Sequence, residues 1–409
     1  MTGIAESTRQ RFGEMSALFA DPYPLYRHLR DKEPVKFSPE LNAWVVSRYD
    51  DVKAVCGDPE TFSSQGLTRP FDEPHPEVAA VLATGYPMVP IAISTDGEAH
   101  ARFRYPYVQA MAQTRTDEFS SVLDSVVDRH LDRIVPLGKC DVIADLARPV
   151  TVEVILRFMG ISADRIEDAS RWSKDLVSFL FAPAELGERL RQARNLVAFQ
   201  HFIAAEIEER RARPTSDVIS VMVHEQLPGA EPLSMNEIVS ALCGLVMAGH
   251  KTTIDTVGNG MVVLLSEPAR WAHLCADPST IPTVVEEILR YDAPLQGLWR
   301  TTTRDTTLGG VSLPAGGRLF VLFGSGNRDE NAFDSPDQVR VDRTPNRHLS
   351  FGHGAHFCVG APLARTEVRK LLASLAERLP NLSLSPEFTG ERHTPVLGFH
   401  GYIRLPVEW

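Results

Sequence analysis

The segment that most limits the fold runs from Leu233 to about Ser266. Ser234 followed three residues later by Glu237 is a capping box, and an apolar pattern with helical period continues from it. A helix of roughly 33 residues is about 50 Å long, enough to cross a whole molecule. Such a rod needs a large body around it. The 409 residues are therefore expected to form one domain, 1–409, although length alone would allow two or three.

Most of the remaining chain also reads as helix. Asp21-Pro22-Tyr23-Pro24 opens a first helix through about Arg30, with a capping Asp and a proline near the first turn. Val35 to Ser47 reads as a hairpin around Pro39-Glu40-Leu41-Asn42. Helical patterns dominate from Asp96 to about Arg211, with breaks near Pro136-Leu137-Gly138, at Gly160 and around Pro183. Another helix ends at Tyr291, strand-like pieces follow, and a last helix spans about Ala361 to Leu379 before a β-rich tail. The expected class is mainly α with small β-sheets. Helices fall mainly in 96–291 and 361–379, strands mainly in 35–60 and 295–409. Ser63 to Ser94 is rich in Pro and Gly and lacks a period, as a functional or disordered loop would.

A formal net charge of −11 argues against nucleic acid as a partner, since phosphate contacts need clustered Lys and Arg. The first seven residues, Met1 to Ser7, carry no apolar leader, and no stretch approaches the roughly 18 apolar residues that span a bilayer. Five cysteines, Cys56, Cys140, Cys243, Cys275 and Cys358, are odd in number and dispersed, which fits a reducing cytoplasm.

The chemistry concentrates in Phe351-Gly352-His353-Gly354-Ala355-His356-Phe357-Cys358-Val359-Gly360. Three glycines around one cysteine let the backbone turn tightly and approach something flat and bulky. A helix start follows at once, and its free N–H groups and positive dipole end stabilise a thiolate. Three readings are open on these residues alone. They are a structural cysteine in a glycine-rich turn, a zinc site from His353, His356 and Cys358 that lacks a fourth nearby ligand, and a thiolate bound to iron, which favours O–O cleavage.

The loop fits F-G-x-G-x-H-x-C-x-G at every fixed position and so resembles the cytochrome P450 superfamily, in its soluble bacterial form. The resemblance implies haem b with Cys358 as axial iron ligand, His356 as a propionate contact, Phe351 packed beside the sulfur and Gly360 closing the motif. Glu287 and Arg290 lie three apart and can pair on one helix face; they resemble the family's E-x-x-R, with Arg343 as third member of a buried structural cluster. His100 and Arg104, one turn apart, resemble its propionate clamp, and Arg300 matches a further propionate partner. Each could otherwise be an ordinary surface cation.

Ala248-Gly249-His250-Lys251-Thr252-Thr253 falls mid-helix, where Gly249 costs about 1 kcal/mol against Ala and so indicates that room is being made. The run resembles the family's A-G-x-[DE]-T-[TS], in which a distorted helix leaves a groove for dioxygen and Thr252 passes protons. Lys251 departs from that pattern, because an acid is usual there. Either Lys251 turns away and pairs with a carboxylate such as Asp255, or oxygen activation is altered toward peroxide leakage or peroxide-driven chemistry.

By the same resemblance the substrate pocket draws on Ser63 to Ile93, Phe179 to Pro183, Leu242 to Met247, Ala293 to Trp299 and Val396 to Phe399. Ile91, Phe179, Val246, Leu295, Leu298 and Trp299 are its apolar wall, suited to a fairly hydrophobic substrate; the alternative for each of them is plain core. The implied function is hydroxylation or epoxidation of a secondary metabolite with dioxygen. Electrons would come from NAD(P)H through a ferredoxin and its reductase, to a monomer without nucleic-acid or membrane partners. Arg365, Arg369 and Lys370 offer a positive docking patch. Peroxide-driven oxidation, oxidative coupling and a non-catalytic haem sensor are the alternatives. A sensor has no need of the Thr252 hydroxyl.

Overall fold

The computed structural model describes residues 21–65, 67, 74–181, 184–392 and 398–409. The capping box forms as the sequence dictates. Glu237 N–H donates to Ser234 Oγ at 3.4 Å, and Ser234 N–H donates to the Glu237 carboxylate at 2.7 Å. The helix it starts, Met235–Leu265, has 31 residues, about 46 Å at 1.5 Å per residue. The same Glu237 takes a bidentate pair from Arg102, at 2.7 and 2.9 Å. This locks the start of the central helix to the helix Gly97–Ala110.

Helices pack closely around this rod. A Cβ at Gly249 would stand 2.6 Å from Ile155, and one at Gly258 would stand 2.7 Å from Ile143. The room made at Gly249 is therefore filled by a neighbouring helix, Arg148–Phe158. Residues 253–261 are all buried, whereas Ala248 is exposed and Gly244, Met247, Lys251 and Thr252 are half-buried. Positions 244, 248 and 252 repeat at four residues and so share one face. That face opens away from the packed core.

The main sheet orders its strands Val35–Ser38, Ala43–Val46, Arg318–Leu322, Gly297–Thr302 and Phe62–Ser63. The hairpin strand Ala43–Val46 runs parallel to Arg318–Leu322, pairing Val45 with Phe320, and the other pairings of this sheet are antiparallel. A parallel pair needs a long crossover, and here most of the helical body lies between its two strands. In Gly297–Thr302 the residues Leu298, Arg300 and Thr302 share one face and Gly297, Trp299 and Thr301 the other.

Helices Tyr23–Lys32, Ile281–Tyr291 and Ala361–Arg378 stand where the pattern put them. Two stretches differ. Ser63 to Ser94 holds a helix, Pro76–Leu82, and a 3-10 turn, Ala92–Ser94. Seven residues are too few to display a 3.6-residue period, so this helix left no sequence signal. The tail has just two short strands among the described residues, Ser383–Leu384 and Pro406–Glu408, paired to each other, the latter also to Lys139–Asp141. Among the described residues, no helix is long and apolar enough to cross a membrane.

Candidate functional site

Glu287, Arg290 and Arg343 form a closed network beneath the cysteine loop, with exposures of 1%, 0% and 6%. Arg290 grips the carboxylate at 2.7 and 2.8 Å, Arg343 approaches it at 3.0 Å, and Asn346 and the Arg340 amide add donors at 3.1 and 2.8 Å. The remaining N–H groups of Arg290 reach the carbonyls of Asn327, Pro336 and Gln338. Both guanidiniums meet the one carboxylate and spend further N–H groups on backbone carbonyls, which helps a buried ion cluster to be tolerated.

The cysteine loop needs its glycines. Gly352 and Gly354 adopt φ of 71° and 69°, left-handed values that other residues rarely take. A Cβ at Gly354 would also stand 2.5 Å from the Cys56 carbonyl oxygen. The Cys358 amide closes the turn on the Phe351 carbonyl at 2.8 Å, and helix Ala361–Arg378 begins three residues on. Protein surrounds the sulfur on most sides while leaving it an accessible face. Burial pushes the thiol up from its ordinary range; the Gly360 amide, Arg104, Arg365 and the Ala361 amide pull it down. The Phe351 ring, at the start of the loop, lies 6.2 Å from that of Phe357.

Next to the sulfur lies a group of donors with little to bind. The rings of His100 and His356 are 4.3 Å apart. Arg104 donates to the Phe357 carbonyl at 2.6 Å, which docks helix Gly97–Ala110 onto the loop. Arg300 is 5% exposed, and its guanidinium donates to the Trp299 carbonyl at 2.7 Å. Among the described residues His100 Nε2 is buried without a partner. The nearby carboxylate is Asp96, 3.6 Å from His356 and already accepting from Ser63 Oγ and the Ser64 amide. Burial, His100 and Arg300 hold the His356 imidazole down near about 4. Burial and Arg104 likewise lower His100. An orphaned buried nitrogen among under-compensated cations fits a ligand that brings two carboxylates, as haem b does. Asp96 and Ser64, whose Oγ is 3.1 Å from His356, escaped the sequence reading, although Asp96 stands at the predicted helix start.

The zinc alternative fails on geometry. Among the described residues no three His, Cys, Asp or Glu side chains converge as a metal would need. A single thiolate suits an iron whose other ligands come from a macrocycle.

On the central helix, Thr252 Oγ donates back to the Ala248 carbonyl at 3.2 Å, and the helix continues unbroken there. Lys251 pairs with Asp255 and lies 5.4 Å from the Phe399 ring. Gly249 faces Ile155, so its missing side chain lets the two helices pack closely. Two pocket residues need correction. Val246 is fully buried in the helical core, because it lies about 200° around the helix from exposed Ala248. Trp299 faces away from Arg300 and Leu298 across the strand, against Phe320 at 4.8 Å and under Arg318 at 4.4 Å. Ile91, Phe179, Leu295 and Leu298 are half-buried. Ile91 abuts Gly244, and Leu295 bridges to Phe399. Pro183, Val396 and Leu397 lie outside the described residues.

The proposed docking patch also changes. Arg365 holds Glu286 at 2.7 and 2.8 Å and covers the Phe351 ring at 4.4 Å. Arg369 approaches Glu286 at 3.6 Å, and Lys370 pairs with Asp124. Each cation faces a carboxylate from another helix, and the three share two carboxylates, Glu286 and Asp124, so the patch is partly neutralised.

A cytochrome P450 family model matches residues 280–389. The chain is 32% identical to cytochrome P450 107B1 of Saccharopolyspora erythraea, over 96% of each. It is 33% identical to the steroid C26-monooxygenase of Mycobacterium tuberculosis (strain H37Rv), over 93% of this chain and 92% of that one. The P450 heme domain of Tepidiphilus thermophilus superposes with a TM-score of 0.90 at 30% identity, covering 96% of this chain and 95% of that one. With the Cys358 loop, the closed Glu287 network and the donor cluster in one place, the chain belongs to the cytochrome P450 family: it is a monooxygenase whose cofactor is haem b.

Proposed function

We propose that the Cys358 thiolate would hold the haem iron and that the enzyme hydroxylates or epoxidises a fairly hydrophobic small molecule, of the secondary-metabolite kind. Dioxygen is the co-substrate, and electrons arrive from NAD(P)H through a ferredoxin and its reductase. The observation that carries this reading is the juxtaposition of an accessible sulfur with the buried, unpartnered His100 Nε2 and the Arg300 guanidinium. Haem b, when bound, supplies dioxygen activation, which thiolate ligation favours.

The chain's residues do the rest. His100, Arg104, Arg300 and His356 hold the propionates as charge-assisted donors. The amides of Gly360 and Ala361, at a helix N-terminus, steady the thiolate. Thr252 holds a proton on Oγ beside the accessible face; rotating off the Ala248 carbonyl frees it to donate there. Ile91, Leu295 and Leu298 form an apolar wall that excludes water and orients an apolar substrate. The likeness to a steroid C26-monooxygenase supports a substrate of comparable apolarity. Five free, dispersed cysteines favour a reducing cytoplasm. With Lys251 engaged by Asp255, no observation favours peroxide-driven oxidation.

Screening steroids and fatty acids for spin-state shifts, then turning over the best binder under isotopically labelled dioxygen, tests this reading. One labelled oxygen atom in the product is expected. Product that takes its oxygen from added peroxide, and none with NADPH and dioxygen, would overturn it.

A further inference from the structure

Lys251, Asp255 and Asn259 are spaced four residues apart and form a polar stripe along the central helix, beside its accessible face. All three meet the C-terminal turn. Lys251 Nζ lies 5.4 Å from the Phe399 ring. Asp255, wholly buried, lies under Gly401 so closely that a Cβ there would stand 2.2 Å from its carboxylate. Asn259 Nδ2 donates to the carbonyls of His400 at 2.9 Å and Asp292 at 3.0 Å. The turn is tied on its other side to the segment that leads into the Arg300 strand. Gln296 N–H donates to the Gly398 carbonyl at 2.5 Å, His400 N–H donates to Pro294 at 2.9 Å, and Phe399 bridges Leu295.

The ends of the stripe differ in how firmly they are built. Around Asn259 the anchor is rigid: His400 and Arg392 both reach Asp292, at 2.9 Å each, and Tyr23 adds a hydrogen bond at 2.8 Å. At the other end Phe399 is half-buried and Lys251 is its cationic contact. The Lys251 ammonium is held in turn by Asp255. Lys251 thus sits between a fixed carboxylate and an aromatic ring at the rim of the accessible face, one residue from Thr252.

We propose that Lys251 is a positioning residue: anchored by Asp255, it holds the Phe399 turn against Leu295 and thereby sets the width of the substrate pocket. This rests on reading the same site as a haem-thiolate pocket. It gives the unusual lysine a role in substrate selection.

The test compares the parent with Lys251→Met, which keeps length but not charge, Lys251→Arg, which keeps charge, and Phe399→Ala. Haem-loaded protein is titrated with imidazole, too small to reach the turn, and with 4-phenylimidazole, read by the Soret shift. Amide hydrogen exchange of 398–405 is followed in parallel. Lys251→Met and Phe399→Ala should each change the 4-phenylimidazole Kd roughly fivefold, the scale of a partly desolvated cation–π contact, and leave imidazole within about twofold. Their double variant should show no further change. Exchange at 398–405 should rise in Lys251→Met and return to the parent rate in Lys251→Arg. If the parent takes up haem and Lys251→Met leaves both readouts unchanged, the clamp is wrong and the haem reading stands. A parent that takes up no haem overturns the haem reading, and the pocket role of Lys251 falls with it.

Discussion

Two groups of nitrogen donors flank the cysteine loop, and they are completed differently. Arg290 and Arg343 share Glu287 and a ring of backbone carbonyls, so the network contains its own anion. His100, Arg300 and His356 gather around one carboxylate, Asp96, that is already engaged, Arg104 turns to the Phe357 carbonyl, and among the described residues His100 Nε2 has no partner. A fold does not bury such donors without compensation unless something else supplies it. The first group is a fastening of the chain to itself; the second is a receptor for charge that the chain lacks.

The largest effect should come from the closed group. Glu287→Ala strands two buried guanidinium groups, and about 3–5 kcal/mol of folding stability should go with it, read as a lower urea midpoint or failure to accumulate folded protein. A midpoint unchanged within error would mean that the network is ornamental. In the open group the same logic reverses. Arg300→Leu should loosen haem roughly tenfold or more, measured by transfer to apomyoglobin, yet leave the haem-free protein as stable as the parent or slightly more so. A haem-free variant several kcal/mol less stable would place Arg300 with the fastening residues.

Acidity offers a third separation. His250 and His356 are both held near about 4, below the 6.5 of an ordinary imidazole, chiefly by burial. Between those values the unfolded chain binds protons that the folded chain refuses, so stability falls as pH drops from 6.5 toward 4. A loss of roughly 1–3 kcal/mol across that window is expected for the haem-free protein. Haem uptake should shrink it, because propionates stabilise the charged His356. The smallest effect concerns Glu367, 2% exposed, whose carboxyl burial pushes up to about 8. Its folded form keeps a proton that the unfolded form releases, so stability is present at low pH and is lost as pH rises through 8. Glu367→Gln should remove that alkaline loss of about 1–3 kcal/mol, seen as thermal midpoints at pH 6 and 9 that no longer diverge.

How much of this could be read in advance follows from whether the information was local. The capping box at Ser234, the glycines that turn the chain before Cys358, and the three-residue spacing of Glu287 and Arg290 lie within a few residues of one another, and each appears as expected. The length of the central helix was equally plain. Val246 and Trp299 were misplaced although periodicity was available: Val246 is on the far side of the helix from Ala248, and Trp299 alternates with Arg300 on a strand. The pairing of Arg365 with Glu286 and of Lys370 with Asp124 joins residues 79 and 246 positions apart. No local pattern marks such partners, and for that reason a partly neutralised helix face looked like a plainly positive one. Asp96 and Ser64 were missed likewise, because only folding brings them to His356.

The central claim is that the Cys358 thiolate binds the iron, and the spectrum of the reduced carbon monoxide complex tests it most directly. The parent should show a Soret band shifted far to the red, as thiolate ligation produces, and Cys358→His should return it to the shorter wavelength of an imidazole-ligated haem. A parent that is colourless, or whose reduced carbon monoxide band matches that of Cys358→His, would contradict the assignment.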